Sequence, residues 1–144
     1  MRIIGLDIGD VRIGVAVSDE SGIIAQGIDV ITREKACLVD DSAVFKQLEN
    51  LIDTYQPKEI VVGLPRKMNG ELGHQANKTL EFIEAMRLNL NIPIKTWDER
   101  FTTKIAKDVL KQTPSKVKRQ KGNVDKLAAI LILQSYLDCC KKNR

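Results

Sequence analysis

The chain has 144 residues, 43% apolar and 29% charged, with 23 basic against 19 acidic side chains and a net charge of +4. That suits one soluble globular domain spanning 1–144 with a real core, and it sets aside disordered and collagen-like classes. No apolar run reaches membrane-spanning length, the N-terminus lacks a signal-peptide pattern, and Cys37, Cys139 and Cys140 show no zinc-ligand spacing, so a cytoplasmic protein with free thiols and no membrane partner is expected.

In chain order, Arg2–Ile8 and Val11–Ser18 read as two β-rich runs around Gly9-Asp10, where a two-residue turn would use positive φ. Alternation puts Ile4, Leu6 and Ile8 on one face of the first run and Ile3, Gly5 and Asp7 on the other. A carboxylate in so apolar a strand costs several kcal/mol of desolvation unless something pairs with it. Gly5 and Gly9 leave room beside it for a ligand to approach the backbone. Ile23–Ile31 reads as a third strand. Asp41 or Ser42 then caps a helix to about Tyr55, with Val44, Leu48, Leu51, Ile52 and Tyr55 as its apolar stripe.

After Pro57 comes a short buried strand, Glu59–Gly63, followed by the loop Gly63–Gly70, which Gly63 and Pro65 are expected to shape. A second helix starts at Gly73 or His74, with Ala76, Leu80, Ile83 and Leu90 near one face, and Asn91-Ile92-Pro93 stops it. Ile94–Trp97 is the last strand. A strand, helix and strand in succession imply a right-handed crossover and parallel pairing. The expected fold is therefore α/β: a five-stranded mixed sheet, three strands antiparallel and then two parallel, with helices on both faces. A third helix is expected from Thr102 or Thr103 to about Lys111. A final helix, capped by Asn123 and apolar nearly all round through LAAILILQSYL, should pack on the sheet.

The positive charge is local. Lys111, Lys116, Lys118, Arg119 and Lys121 lie in one acid-free stretch, and without them the chain is close to neutral. Such a stretch suits a polyanion contact as well as it suits a solvated loop. Three acids fall at element ends that this fold would bring together: Asp7 at the end of the first strand, Asp98 or Glu99 after the last, and Asp125 in the first turn of the last helix. Each alone has a simpler reading as a turn residue, a strand end or a partner of the helix dipole. Clustered, they would repel one another and call for a cation. With His74 the only histidine, an oxygen-only ligand set suits Mg²⁺ or Mn²⁺. Two such ions about 4 Å apart can activate a water and hold a scissile phosphate. Asp98 and Glu99 are adjacent, so only one faces Asp7, and the alternation does not choose between them.

Four blocks together resemble the YqgF family of ribonuclease H-like proteins, described as pre-16S rRNA nucleases and as Holliday junction resolvase-like proteins. They are Gly5-Leu6-Asp7-Ile8-Gly9 with Arg12-Ile13-Gly14-Val15-Ala16; Val61-Val62-Gly63-Leu64-Pro65 with Met68-Asn69-Gly70; Asp98-Glu99-Arg100-Phe101-Thr102-Thr103; and Asp125, Leu127, Ala128, Ala129 with Ile132–Leu137. The resemblance implies the ribonuclease H fold and catalytic, metal-holding roles for Asp7, Glu99 and Asp125, and so selects Glu99 over Asp98. It also implies a cytoplasmic protein that matures the 5′ end of the 16S rRNA precursor. Phe101 stands where the family usually has an aliphatic residue.

The expected chemistry is phosphodiester hydrolysis, endo- or exonucleolytic, by a monomer or weak homodimer. Arg12, Lys116, Lys118, Arg119 and Lys121 would hold flanking phosphates. Aromatic content of 4% argues against base stacking as the main grip. A four-way-junction resolvase would use the same carboxylates on branched DNA, as a symmetric dimer. A non-catalytic rRNA-binding assembly factor is a third reading. An actin-like ATPase would need a second such domain, for which the chain lacks room.

Overall fold

The computed structural model describes residues 1–33, 41–67, 69–99 and 123–142, the last segment with side chains over 126–141. Its strands are β1 (Ile3–Ile8), β2 (Arg12–Ser18), β3 (Ala25–Thr32), β4 (Glu59–Leu64) and β5 (Ile94–Asp98). Its helices are α1 (Ser42–Tyr55), α2 (His74–Asn89) and α3 (Asn123–Lys142). The helix expected over residues 102–111 lies outside the described residues.

The strands form one sheet in the order β3-β2-β1-β4-β5. β1 and β2 are antiparallel, as are β2 and β3, while β4 runs parallel to both β1 and β5. This is the expected mixed sheet. Its two faces carry two cores. On one, Ile4, Leu6, Ile8, Ile13, Val15, Val17, Ile31, Ile60, Val62 and Ile94 pack under Val44, Phe45 and Leu48 of α1 and Phe82, Ile83 and Met86 of α2. On the other, Ile3, Ala16, Ala25 and Val61 pack under Ala129, Ile132, Leu133 and Leu137 of α3. At about 25 cal/mol per Å² of apolar surface, such burial is the main force holding the layers together.

One local reading needs correction. Three residues, not two, join β1 to β2, and among the described glycines only Gly22 and Gly70 have positive φ. Gly9 is needed for a different reason. Its N–H donates to Arg12 O at 2.9 Å, and a β-carbon there would lie 2.6 Å from that oxygen. On α2 the expected residues do face the core: Ala76 and Ile83 are buried, as is Leu90 just past the helix, and Leu80 packs half-buried against the same cluster. Thr79, Phe82 and Met86 widen that buried face, and Phe82 meets Phe45 with ring centroids 5.5 Å apart.

α3 lies close on the sheet because glycine lets it. A β-carbon at Gly5 would sit 2.7 Å from Leu133 Cβ, and one at Gly27 would sit 3.1 Å from Ile130 Cδ1. Gln134 pins the start of β3: Ala25 N–H donates to its Oε1 at 2.9 Å, and its Nε2 donates to Ile23 O at 2.8 Å.

Candidate active site

Asp7 stands near the end of β1, on the face that α3 covers. The alternation that buries Ile4, Leu6 and Ile8 under α1 and α2 leaves it half-buried on the opposite side. Gly14 is its partner across β2, and Gly5 lies two residues back on the same face. Backbone rather than side chain therefore lines the sheet around this carboxylate.

β5 supplies the phase that the sequence left open. Ile94 pairs with Ile60 and packs in the α1/α2 core, whereas Trp97 pairs with Gly63 and packs against the α3 core. Asp98, across from Leu64, is thereby directed away from α3, where Arg66 Nε lies 3.8 Å from its Oδ2. Glu99 turns to Asp7's side. It fits there because β4 has glycine beneath it: a β-carbon at Gly63 would lie 2.6 Å from Glu99 Oε1 and 3.0 Å from its Cγ. Burial, then the charge of Asp7, then that of Asp98 push the Glu99 carboxyl up to about 7. Two acids 92 positions apart in sequence thus lie within electrostatic reach of each other.

The third expected acid enters through α3. This helix runs antiparallel to β4: Tyr136 bonds Glu59 at the start of the strand, while Ile132 reaches Gly63 near its end. Leu133 and the Ala129 carbonyl sit over Gly5. Position 125 is one turn earlier than Ala129, about 6 Å along the helix, and Asp7 is two residues beyond Gly5, about 6.6 Å along the strand. The helix backbone at 125 therefore comes level with Asp7. The Asp125 side chain lies outside the described residues.

Of the basic residues expected to hold phosphate, Arg12 begins β2 on Asp7's face, half-buried. Lys116, Lys118, Arg119 and Lys121 lie outside the described residues. Sequence reasoning passed over Arg33 and treated Gly63 only as a loop-shaping residue. Arg33 Nη1 donates to Gly9 O at 2.9 Å and Nη2 to Asp41 Oδ2 at 3.1 Å, with the guanidinium 4.9 Å above the Phe82 ring. One side chain thus ties the turn after Asp7 to α1 and α2. Nothing in a lone arginine at a strand end announces that. Gly63 was within reach of a spacing argument, since a glycine inside a buried strand marks a close approach.

Among the described residues, no group of three or more His, Cys, Asp or Glu side chains forms a metal cluster. The pair that is assembled, Asp7 and Glu99, offers only carboxylate oxygens, and its mutual repulsion is what a hard divalent cation relieves. The donor chemistry therefore fits Mg²⁺ or Mn²⁺.

A family model described as "RuvX: Holliday junction resolvase" matches residues 1–139. Relatives named "Putative pre-16S rRNA nuclease" include one from Halothermothrix orenii, 48% identical over 96% of this chain and 95% of its own length. Another, from Thermoanaerobacter pseudethanolicus, is 48% identical over 98% of this chain and 99% of its own. Among solved structures, T. thermophilus RuvC in complex with a Holliday junction substrate is similar with a TM-score of 0.62 and 15% identity, over 97% of this chain and 96% of that one. The fowlpox virus Holliday junction resolvase is similar with a TM-score of 0.55 and 15% identity, over 97% and 99%. These structural likenesses establish the resolvase-type ribonuclease H fold.

Proposed function

Because this chain belongs to the RuvX Holliday junction resolvase family, we propose that it is a divalent-cation-dependent nuclease that matures the 5′ end of the 16S rRNA precursor in the cytoplasm. Asp7, Glu99 and Asp125 are its catalytic carboxylates and would hold one or two Mg²⁺ or Mn²⁺ ions. The observation that carries this reading is Glu99, half-buried beside Asp7 with its carboxyl raised to about 7. Two acids forced together destabilise a fold, and such perturbed groups concentrate where function needs them. When bound, the cation lowers the pKa of a water and stabilises charge on the phosphoryl oxygens.

The chain's own residues do the rest. Asp7 and Glu99 present their oxygens on one face of the sheet, with Gly14 rather than a side chain beside Asp7 on β2. With its carboxyl raised to about 7, Glu99 exchanges its proton with solvent near neutral pH, and as the carboxylate it would be available to hold the cation. Arg12, on the same face, and Lys116, Lys118, Arg119 and Lys121 hold neighbouring phosphates, which positions a strand without reading its bases. RNA is favoured over branched DNA because the relatives named for pre-16S rRNA are 48% identical over nearly the whole chain, whereas the junction-bound structures share only the fold.

The test is cleavage, with Mn²⁺, of a precursor-rRNA 5′ leader beside a four-way DNA junction, by wild type and Asp7→Asn. The expected result is RNA cleavage that falls by about 10³-fold in the variant. Equal activity in the two proteins removes Asp7 from the mechanism, and cleavage of the junction alone moves the substrate to DNA.

A further inference from the structure

β4 ends at Leu64, and the chain makes a small hairpin before entering α2. Arg66 and Leu72 form an antiparallel bridge. Lys67 N–H donates to Glu71 O at 3.0 Å, and Gly70 N–H to Lys67 O at 2.8 Å, with Gly70 at a φ of 89°. Glu71 N–H donates to Asn69 Oδ1 at 3.0 Å, and Arg66 Nη1 to Gly70 O at 3.1 Å. A loop braced in this way holds its side chains ready, so little ordering entropy remains to be lost on binding.

What it holds ready is positive charge. Arg66 and Lys67 are adjacent and exposed, and they diverge. Arg66 leans to Asp98, immediately before Glu99, at 3.8 Å. Lys67 lays its stem across the start of α2, where a β-carbon at Gly73 would be 3.3 Å from Lys67 Cε. Lys78, further along α2, reaches Asp10 in the turn that follows Asp7, at 3.6 Å. Residues 65–78 contain these three cations and His74 against one acid, Glu71, and the first turn of α2 carries no acid.

We propose that Arg66, Lys67 and Lys78 form a phosphate-binding rim that carries a nucleic-acid backbone past the carboxylates on the side of the sheet away from α3. The inference rests on the nuclease reading for its choice of ligand. Arg66 flanks the Glu99 end of the site and Lys78 the Asp7 end. Between them stand Asp7, Asp10, Asp98 and Glu99, which repel any polyanion. A strand crossing that edge needs cations on both sides. The ion pairs that Arg66 and Lys78 make now are long, and the one between Lys78 and Asp10 is exposed on both sides, so exchanging Asp10 for a phosphate oxygen costs little. The Asp98 side chain is only 15% exposed, so Arg66 keeps that partner and meets phosphate through its remaining guanidinium N–H groups.

The test is a salt titration of binding in divalent-free buffer, with a short single-stranded RNA and a DNA of the same sequence as probes. Wild type is compared with Arg66→Gln, Lys67→Gln, Lys78→Gln and the triple variant. For single strands each lost phosphate contact should lower the slope of log K against log salt by about 0.7, so the triple variant should lose about 2. Arg66→Lys should keep the wild-type slope, and so should Lys141→Gln at the far end of α3. Because Arg66 also braces the hairpin, Lys67→Gln and Lys78→Gln carry the test if Arg66→Gln unfolds. A loss with both probes, with RNA alone or with DNA alone supports the rim and identifies the strand it carries. Unchanged slopes with both probes overturn it. That result leaves Asp7 and Glu99 untouched, just as full cleavage by Asp7→Asn would sink the catalytic assignment and leave the rim standing.

Discussion

The two ends of the sheet each hold a carboxylate on the α3 side, buried at one end and half-buried at the other, and they treat it in opposite ways. At the start of β4, Glu59 is 6% exposed. Tyr136 Oη donates to its Oε1 at 2.8 Å, and Lys95 Nζ lies 2.8 Å from its Oε2. Burial alone would raise its pKa, but the hydrogen bonds from Lys95 and Tyr136 and the charges of Lys95 and Lys58 outweigh that, and the net shift is downward. Beyond the end of β5, Glu99 is set against Asp7 and Asp98, and its carboxyl is pushed up to about 7. One end is built to keep an acid charged in a fold. The other places like charges together and leaves their repulsion for something else to relieve. Burial raises the pKa of both, so the neighbouring charges decide the sign of the net shift.

The strongest way to break this contrast is to neutralise each acid in turn. Glu99→Gln is expected to lower cleavage about 10³-fold, roughly 4 kcal/mol of barrier, while the metal-free protein melts at a higher temperature. Glu59→Gln is expected to do the reverse, leaving cleavage near wild type and lowering the melting temperature. Cleavage rates and melting curves on the two variants decide it, and a Glu59→Gln protein as inactive as Glu99→Gln erases the distinction.

A smaller effect separates two glycines. At Gly63 an added methyl meets Glu99 Oε1 at 2.6 Å and the flexible end of Ile132 at 2.5 Å. Gly63→Ala should therefore displace the carboxylate and lower cleavage by about 10²-fold, the scale of a misplacement near 1 Å. At Gly5 the obstacle is Leu133 Cβ at 2.7 Å, which cannot move without its helix. Gly5→Ala should cost about 1–3 kcal/mol of stability, read from a urea midpoint.

Most of the sheet was legible in the chain because β-branched alternation in β1 and β2 fixes both the strands and their faces. That is why Asp7 could be placed on the side opposite Leu6 before any contact was known. The choice between Asp98 and Glu99 was not legible from the residues, since at a strand end the phase depends on the neighbour. The pairing of Ile94 with Ile60 supplies it. The turn at Gly9 was misjudged because glycine has two uses, positive φ and close approach, and sequence does not say which. Arg33, Arg66 and Lys78 were missed for a common reason. Each acts on a residue of another element, Gly9, Asp98 and Asp10 respectively, and no periodicity within one element records such a partner.

The pH dependence of stability should carry the same contrast at the next level down, in protein without divalent cation. The folded Glu99 carboxyl titrates near 7, against an ordinary 4.5. The folded state therefore holds this proton more tightly than the unfolded chain. The contribution is fully present below the ordinary value and is lost as pH climbs to about 7, after which it levels off. Glu59 slopes the other way: its contribution is present above the ordinary carboxylate value and is lost as pH falls through the lowered folded one. Urea midpoints from about pH 4 to pH 8 should show Glu99→Gln gaining about 1–2 kcal/mol on wild type over that range, once solvent screening is allowed for. A constant difference across the range would mean that neither burial nor Asp7 raises the Glu99 carboxyl.

Tyr136→Phe probes the quiet end alone. It removes the hydroxyl that donates to Glu59 and keeps the ring that Trp97 meets edge-on, at 5.6 Å between centroids. A buried charge that loses one of its donors should cost about 1–2 kcal/mol, since Lys95 still lies 2.8 Å from the other oxygen. Lys95→Met should cost at least as much, because Lys95 supplies the largest of the interactions that keep the buried Glu59 charged. Neither change reaches Asp7 or Glu99, which the length of α3 separates from this network, so cleavage should stay at the wild-type rate while the melting temperature drops. If Tyr136→Phe slowed cleavage instead, α3 would be transmitting strain from one end of the sheet to the other, and the two carboxylates would have to be treated as one coupled system.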